Sequence, residues 1–274
     1  MAFIQMNIMS SALRRTVNVN AIIPIDKVSM PGDKTPVTGE RKELKTLYLL
    51  HGFYGSQFDW TNGTKLQRWA DDRNLAVIMP SGENSFYIDS EKTGSKFGTF
   101  VGEELVDLTR NMFPLSRAKE DTFIAGLSMG GFGALRNGLK YYDTFGYIAG
   151  LSSGNPINEI DYGTGALSRE NFENLFGDPE DVRNGDNSIE YLIRENVKNG
   201  KTDQKFFLAC GTEDHLFAES AKLNDALSKA GYDVKFETGP GGHEWDFWNE
   251  YILHVLNWLP LDGVSQGLSS GHVR

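Results

Sequence analysis

The chain has 274 residues, near the upper size for one hydrophobic core, so a single domain with a sizeable insertion is expected. Its 27 Lys and Arg against 37 Asp and Glu leave a formal net charge of -10, which disfavours nucleic acid and anionic membrane as partners. The one cysteine, Cys210, sits in an apolar run and excludes a disulfide framework, and no segment is long and apolar enough to cross a bilayer.

Residues 1–24 alternate polar and apolar positions around Arg14 and Arg15 and lack the uninterrupted apolar stretch of a secretory signal. With this cysteine usage the cytoplasm is the default compartment. Ile4, Met6 and Ile8, then Val17, Val19 and Ala21, follow the two-residue period of half-buried strands and predict an antiparallel pair. Residues 31–39 form a breaker-rich loop. The apolar strand 47–50 runs straight into His51-Gly52-Phe53-Tyr54-Gly55-Ser56. Leu66, Trp69 and Ala70 predict a helix over 60–73, followed by a buried strand over 75–80. The loop 81–95 carries Asn84, Ser85, Phe86, Tyr87 and Asp89 and leaves the sheet edge where ligands bind in open α/β folds. Val101, Leu105, Leu108 and Met112 fall at i, i+4, i+7 and i+11, predicting a helix with one apolar core stripe.

Thr122-Phe123-Ile124-Ala125 then leads into Gly126-Leu127-Ser128-Met129-Gly130 and a helix-compatible segment, the strand, sharp turn and helix of a nucleophile elbow. At such a turn the serine backbone is strained and the flanking turns nearly touch, so positions two before and two after it must lack a Cβ. Gly126 and Gly130 meet that requirement.

A strand is expected over 147–151. Residues 152–200 depart from the rhythm, with two short amphipathic pieces around Phe172-Leu175-Phe176 and Ile189-Leu192-Ile193, and are read as a lid or cap. The rhythm resumes with a strand over 204–210, a helix over 217–230 closed by Gly231, and a strand over 234–237. A glycine-rich turn, 239–243, precedes a helix whose Trp248, Tyr251, Ile252, Val255, Leu256 and Leu259 share one face. Residues 262–274 form a tail without apolar period. Strands alternating with helices give an α/β fold, with a mostly parallel central sheet and helices on both faces.

A serine hydroxyl becomes a nucleophile when a histidine takes its proton, and a carboxylate must hold that histidine's tautomer. His243 alone of the five histidines lies in a glycine-rich turn between the last strand and the last helix. The acid comes from the loop after the strand ending at Cys210, where spacing leaves Glu213 and Asp214 nearly equal. Backbone N–H groups must also face the developing oxyanion: Met129 follows the nucleophile, and Phe53 belongs to the loop after the first apolar strand. His51 is expected to brace that loop. Tyr87, Phe53, Trp60 and Trp245 are candidate pocket walls. No metal or cofactor is implied, since the histidines and carboxylates lack ligand spacing.

Leu49 to Ser56, Asn84-Ser85-Phe86-Tyr87, Phe123 to Gly131, Gly211-Thr212-Glu213-Asp214 and Gly242-His243-Glu244-Trp245 together resemble the esterase D-like carboxylesterases, closest to bacterial tributyrin and acetyl esterases, over nearly the whole chain up to Leu261. The resemblance implies an α/β-hydrolase domain over 1–261 with the cap at 152–200. It favours Asp214 as the acid of a Ser128, Asp214, His243 triad, and implies hydrolysis of short acyl or acetyl esters, small-molecule or carbohydrate, with a homo-oligomer compatible with it. Feruloyl, acetyl-xylan and S-formylglutathione esterases are also relatives. In the last of these a cysteine usually follows the oxyanion loop, whereas Phe53-Tyr54-Gly55-Ser56 has none, which points away from glutathione thioesters. An acyltransferase on the same triad and a non-catalytic binding protein are the rival readings. An intact strained serine turn argues against the second.

Overall fold

The alternating N-terminal segments form an antiparallel pair, β1 (Ala2–Ser10) and β2 (Arg15–Ile23), with Ile4 opposite Ala21 and Met6 opposite Val19. In the computed structural model, which describes residues 1–26, 43–158 and 167–261, this pair joins six further strands. These are β3 (Thr46–Leu50), β4 (Ala76–Pro80), β5 (Thr122–Leu127), β6 (Tyr147–Leu151), β7 (Lys205–Gly211) and β8 (Asp233–Gly239). The sheet order is β1-β2-β4-β3-β5-β6-β7-β8, antiparallel across β1-β2-β4 and parallel from β4 onward. The predicted loop at 31–39 and the tail at 262–274 lie outside the described residues, as do residues 159–166 of the predicted cap.

The central strands are buried and, past Thr46 and Thr122 at the starts of β3 and β5, apolar, because helices cover both faces. Leu47, Leu49, Phe123 and Ala125 point to one core, with α1 (Asp59–Gly63), α2 (Leu66–Asp72) and the terminal α10 (Trp245–Trp258) packed on it. Tyr48, Leu50 and Ile124 point to the other. There the cover is α3 (Phe97–Thr99) with α4 (Leu105–Met112), α5 (Met129–Lys140), α6 (Arg169–Leu175), α7 (Pro179–Arg183), α8 (Ile189–Lys198) and α9 (Phe217–Lys229). Cys210 is a buried core residue, and burial pushes its thiol up to about 11.

Two helices differ from the sequence reading. The segment 60–73 is two helices, because Thr64 takes an extended conformation and its Oγ accepts the Leu66 N–H at 3.1 Å, starting α2 afresh. The stripe of Val101, Leu105, Leu108 and Met112 does not continue as core. A π turn at Phe100–Glu104 inserts an extra residue between α3 and α4, shifting the phase of the buried face. Val106 and Thr109 are buried in place of Leu108 and Met112, and Met112 is 46% exposed.

The stretch expected as a lid is, over its described residues, largely a buttress behind α5. Phe172, Phe176, Ile189, Leu192 and Ile193 belong to the main core. The fully buried Arg136 of α5 donates from Nε to the Asp186 carbonyl at 2.8 Å and from Nη2 to Asn187 Oδ1 at 3.0 Å. Asn196 of α8 donates to the Leu139 carbonyl at 3.0 Å. Burial holds the Arg136 guanidinium below its ordinary range, with Asp186 opposing that effect. A buried cation with its donors satisfied in this way fixes the insertion to the helix instead of leaving it free to swing.

Candidate active site

Ser128 stands between the central strand β5 and α5, with φ 53 and ψ -120. A non-glycine residue held there stores about 1–3 kcal/mol of strain. The turn is possible because Gly126 and Gly130 have no side chain. A Cβ on Gly126 would lie 2.2 Å from the Gly130 carbonyl oxygen, and one on Gly130 would lie 2.5 Å from the carbonyl oxygens of both Leu50 and His51. All of these obstacles are backbone. Gly130→Ala is therefore expected to cost about 3 kcal/mol and to lower the Tm by about 10 °C, measured by calorimetry. A variant with unchanged Tm would show that the turn can open without cost.

The parallel ladder runs on past the strand ends. The Ser128 N–H donates to the Leu151 carbonyl at 2.9 Å, Ser152 to Ala209 at 2.7 Å and Thr212 to Gly239 at 2.8 Å. These bonds tie the elbow to the end of β6, the loop after β6 to β7, and the loop after β7 to β8. Within this lattice Ser128 Oγ lies 3.0 Å from His243 Nε2, and His243 Nδ1 lies 3.0 Å from Asp214 Oδ2 and 3.2 Å from Oδ1. The pairing sets the tautomer: Nδ1–H donates to Asp214, leaving Nε2 to accept the serine proton.

The structure separates the two acids that spacing left equal. Asp214 has a fully buried side chain and also accepts the Leu216 N–H at 2.9 Å. Burial raises its pKa, but hydrogen bonds from His243, Leu216 and Ser152 outweigh burial and bring it down to about 2. Glu213 points to solvent. Its Oε2 accepts the Gly241 N–H at 2.6 Å and its own N–H donates to the Gly241 carbonyl at 3.1 Å, so it pins the turn that carries His243. The Gly241 N–H, then Thr212, hold its carboxyl below the usual range.

His51 has the bracing place expected of it. It is buried, and burial lowers its pKa, so the ring is neutral at pH 7. Nδ1–H donates to the Gly52 carbonyl at 2.8 Å and Nε2 accepts the Gly82 N–H at 2.8 Å. Asn84 Oδ1 accepts the Tyr54 N–H at 2.8 Å, fixing the same loop. The N–H groups of Phe53 and Met129 have no hydrogen-bond partner among the described residues, and both residues border the same cleft.

That cleft, of about 320 Å³, opens over Ser128. Phe53, Phe86, Met129 and Phe132 line one flank, and His215, Leu216, His243, Trp245 and Trp248 the other. Of the residues expected as walls, Phe53 and Trp245 are there, whereas Tyr87 and Trp60 are not. Tyr87 is fully buried behind the cleft, where its hydroxyl donates to the His51 carbonyl at 3.0 Å. Consecutive left-handed residues, Phe86 at φ 51 and Tyr87 at φ 55, turn Phe86 into the cleft in its place. Trp60 is buried, and its indole N–H donates to the Leu50 carbonyl at 2.9 Å while its ring packs edge-on to Trp245. Of the described residues of the insertion, only Gly154 and Pro156 border the cleft.

Sequence reading missed Trp248, Ser152 and His215. Trp248 Nε1 donates to Ser152 Oγ at 3.0 Å, and its ring stands edge-on to His243 at 4.9 Å, steadying the imidazole. Its only sequence signal was its place on an apolar helix stripe, which reads as core. His215 could be found only through its adjacency to Asp214.

The Esterase family model matches residues 34–259. The chain is 41% identical to an acetyl esterase of Caldicellulosiruptor saccharolyticus, over 94% of this chain and 98% of that one. Among solved structures it is similar to the Staphylococcus aureus fluorophosphonate-binding serine hydrolase FphF (TM-score 0.82, 30% identity) and to the S. aureus S-formylglutathione hydrolase FrmB (TM-score 0.80, 29% identity). Each alignment covers 94% of this chain and 98% of the other. With a family match over most of its length and a relative this similar from end to end, the chain belongs to the Esterase family and is a carboxylic ester hydrolase of the α/β-hydrolase fold.

Proposed function

We propose that the protein is a serine carboxylesterase acting on short-chain, acetyl-type esters through an acyl-enzyme. The observation that carries this is the unbroken hydrogen-bond line Ser128, His243, Asp214 at 3.0 Å per step, at the floor of a cleft. Ser128 Oγ attacks the ester carbonyl as His243 Nε2 takes its proton. The N–H groups of Met129 and Phe53 receive the oxyanion, a contribution of about 3 kcal/mol per donor. His243 then gives the proton to the departing alkoxide, and a water deprotonated by His243 releases the acid.

Proton return fixes the orientation of the substrate. The leaving oxygen must face His243, so the alcohol occupies the flank bearing His215, Leu216 and His243, on the β7 and β8 side of Ser128. The acyl group occupies the β3 and β4 side, against Phe53, Phe86 and Phe132. Phe86 is itself backed by Phe132 and Phe176 at centroid distances of 6.0 and 5.4 Å, so this wall is rigid. A cleft of about 320 Å³ is at the small end of ligand sites and suits acetyl to butyryl groups. The cytoplasm is the compartment this reading assigns, from the single buried thiol of Cys210.

A panel of p-nitrophenyl esters from acetate to octanoate tests it. The wild type is expected to favour acetate and butyrate and to release a burst of p-nitrophenol. In Phe86→Ala the ratio of kcat/KM for octanoate over acetate is expected to rise about tenfold, although the truncation costs about 3 kcal/mol of stability. An unchanged ratio would place the acyl group elsewhere. Methyl ferulate, acetylated xylan and S-formylglutathione in the same panel distinguish the neighbouring ester classes.

A further inference from the structure

Beside the triad stands a histidine that the mechanism does not use. His215 follows Asp214, borders the cleft, and has a side chain 69% exposed. Its Nδ1 lies 3.5 Å from Asp214 Oδ1, and its ring meets that of His243 edge-on with centroids 4.8 Å apart. On the other side of the carboxylate, Oδ2 lies 3.0 Å from His243 Nδ1. One ligand atom from each of Asp214, His215 and His243 lies within 4.8 Å of the other two.

Zinc in protein sites holds nitrogen and oxygen ligands at about 2.0–2.2 Å, and tetrahedral angles then put neighbouring ligand atoms about 3.4 Å apart. Asp214 Oδ1 lies 3.5 Å from His215 Nδ1 and 3.2 Å from His243 Nδ1, on either side of that value, so closing the set on this one oxygen mainly requires the two imidazoles to approach each other. Two imidazoles and a carboxylate are the donors that zinc-class cations take, and the exposure of His215 gives an entry path and a place for a water as fourth ligand. His254 of α10 and Glu237 of β8, 2.6 Å apart, offer a two-donor pair for comparison.

We propose that Asp214, His215 and His243 form a binding site for a zinc-class divalent cation, and that its occupation switches the esterase off. The cation takes the Nδ1 lone pair of His243. The proton that Nδ1 carried toward Asp214 passes to Nε2 as the metal binds, so the still neutral imidazole faces Ser128 as a donor, and the base that should receive the serine proton is gone. The inhibition rests on the triad reading above, whereas the binding does not.

The test is a zinc titration of p-nitrophenyl acetate hydrolysis in a buffer that does not chelate, each variant being compared with its own zinc-free rate. Wild type is expected to lose activity and regain it on adding EDTA. His215→Ala is expected to need at least about tenfold more zinc for half-inhibition, and His254→Ala the same amount as wild type. In equilibrium dialysis, Ser128→Ala protein is expected to bind one zinc that the Ser128→Ala, His215→Ala double variant does not. Equal inhibition of wild type and His215→Ala, or no His215-dependent zinc in dialysis, would overturn the site. Zinc bound without inhibition would overturn the switch. A protein that binds zinc through His215 but cleaves no ester would leave the site standing and remove the esterase reading instead.

Discussion

Ser128→Ala is expected to lower kcat on p-nitrophenyl acetate by about 10⁴- to 10⁶-fold and to abolish labelling by a fluorophosphonate, with the Tm close to that of the wild type. His243→Ala should fall in the same range, and the double variant should be no worse than either single one, because nucleophile and base act as one unit. The reason is the 3.0 Å contact between Ser128 Oγ and His243 Nε2: with either partner gone, what remains is the pull of the oxyanion donors on a substrate attacked by water. Steady-state kinetics and intact-protein mass spectrometry after labelling read both effects. A Ser128→Ala protein retaining more than about one part in a hundred of wild-type kcat would mean that hydrolysis runs through another group.

The two adjacent acids give the second large effect, and it is asymmetric. Asp214→Asn is expected to cost about 10⁴-fold in kcat, because an amide that can donate to Nδ1 leaves the imidazole in the wrong tautomer. Glu213→Ala should cost less than about tenfold, since it loosens the Gly241 turn without touching the proton path. Because Asp214 ionises near 2 in the folded chain, it is a carboxylate throughout the working range. Its contribution to stability is in place above the ordinary carboxyl value of 3.8 and is lost as the pH falls through about 2. Parallel kcat measurements on the two variants decide the assignment; comparable losses in both would undo it.

What the sequence could show depended on how local each requirement was. The elbow was legible because its constraint is contained in five consecutive residues, with Gly126 and Gly130 forced by backbone contacts near 2.2–2.5 Å. The β/α alternation was legible because buried parallel strands such as β3 carry an unbroken apolar run, here Leu47 to Leu50. The choice between Glu213 and Asp214 was not legible from spacing, since it turns on which carboxylate the chain after β7 buries. Tyr87 and Phe86 are adjacent and both aromatic, and only the backbone at φ 55 and 51 decides which one borders the cleft. Met112 was misplaced because periodicity counting assumes an uninterrupted 3.6-residue turn, and the π turn at Phe100–Glu104 breaks that assumption with nothing in the residue types to announce it. The insertion looked like a lid because length and polarity are all that its sequence shows, while its attachment depends on distant partners such as Arg136.

The hydrogen bonds that carry the sheet beyond its last residues, from Ser128 to Leu151, Ser152 to Ala209 and Thr212 to Gly239, mean that the reactive groups share the sheet's rigidity. No soft hinge separates chemistry from scaffold, so catalysis should survive heat or denaturant until the architecture itself gives way. Redesign for bulkier acids can then be confined to the phenylalanine flank, leaving the proton-transfer line untouched.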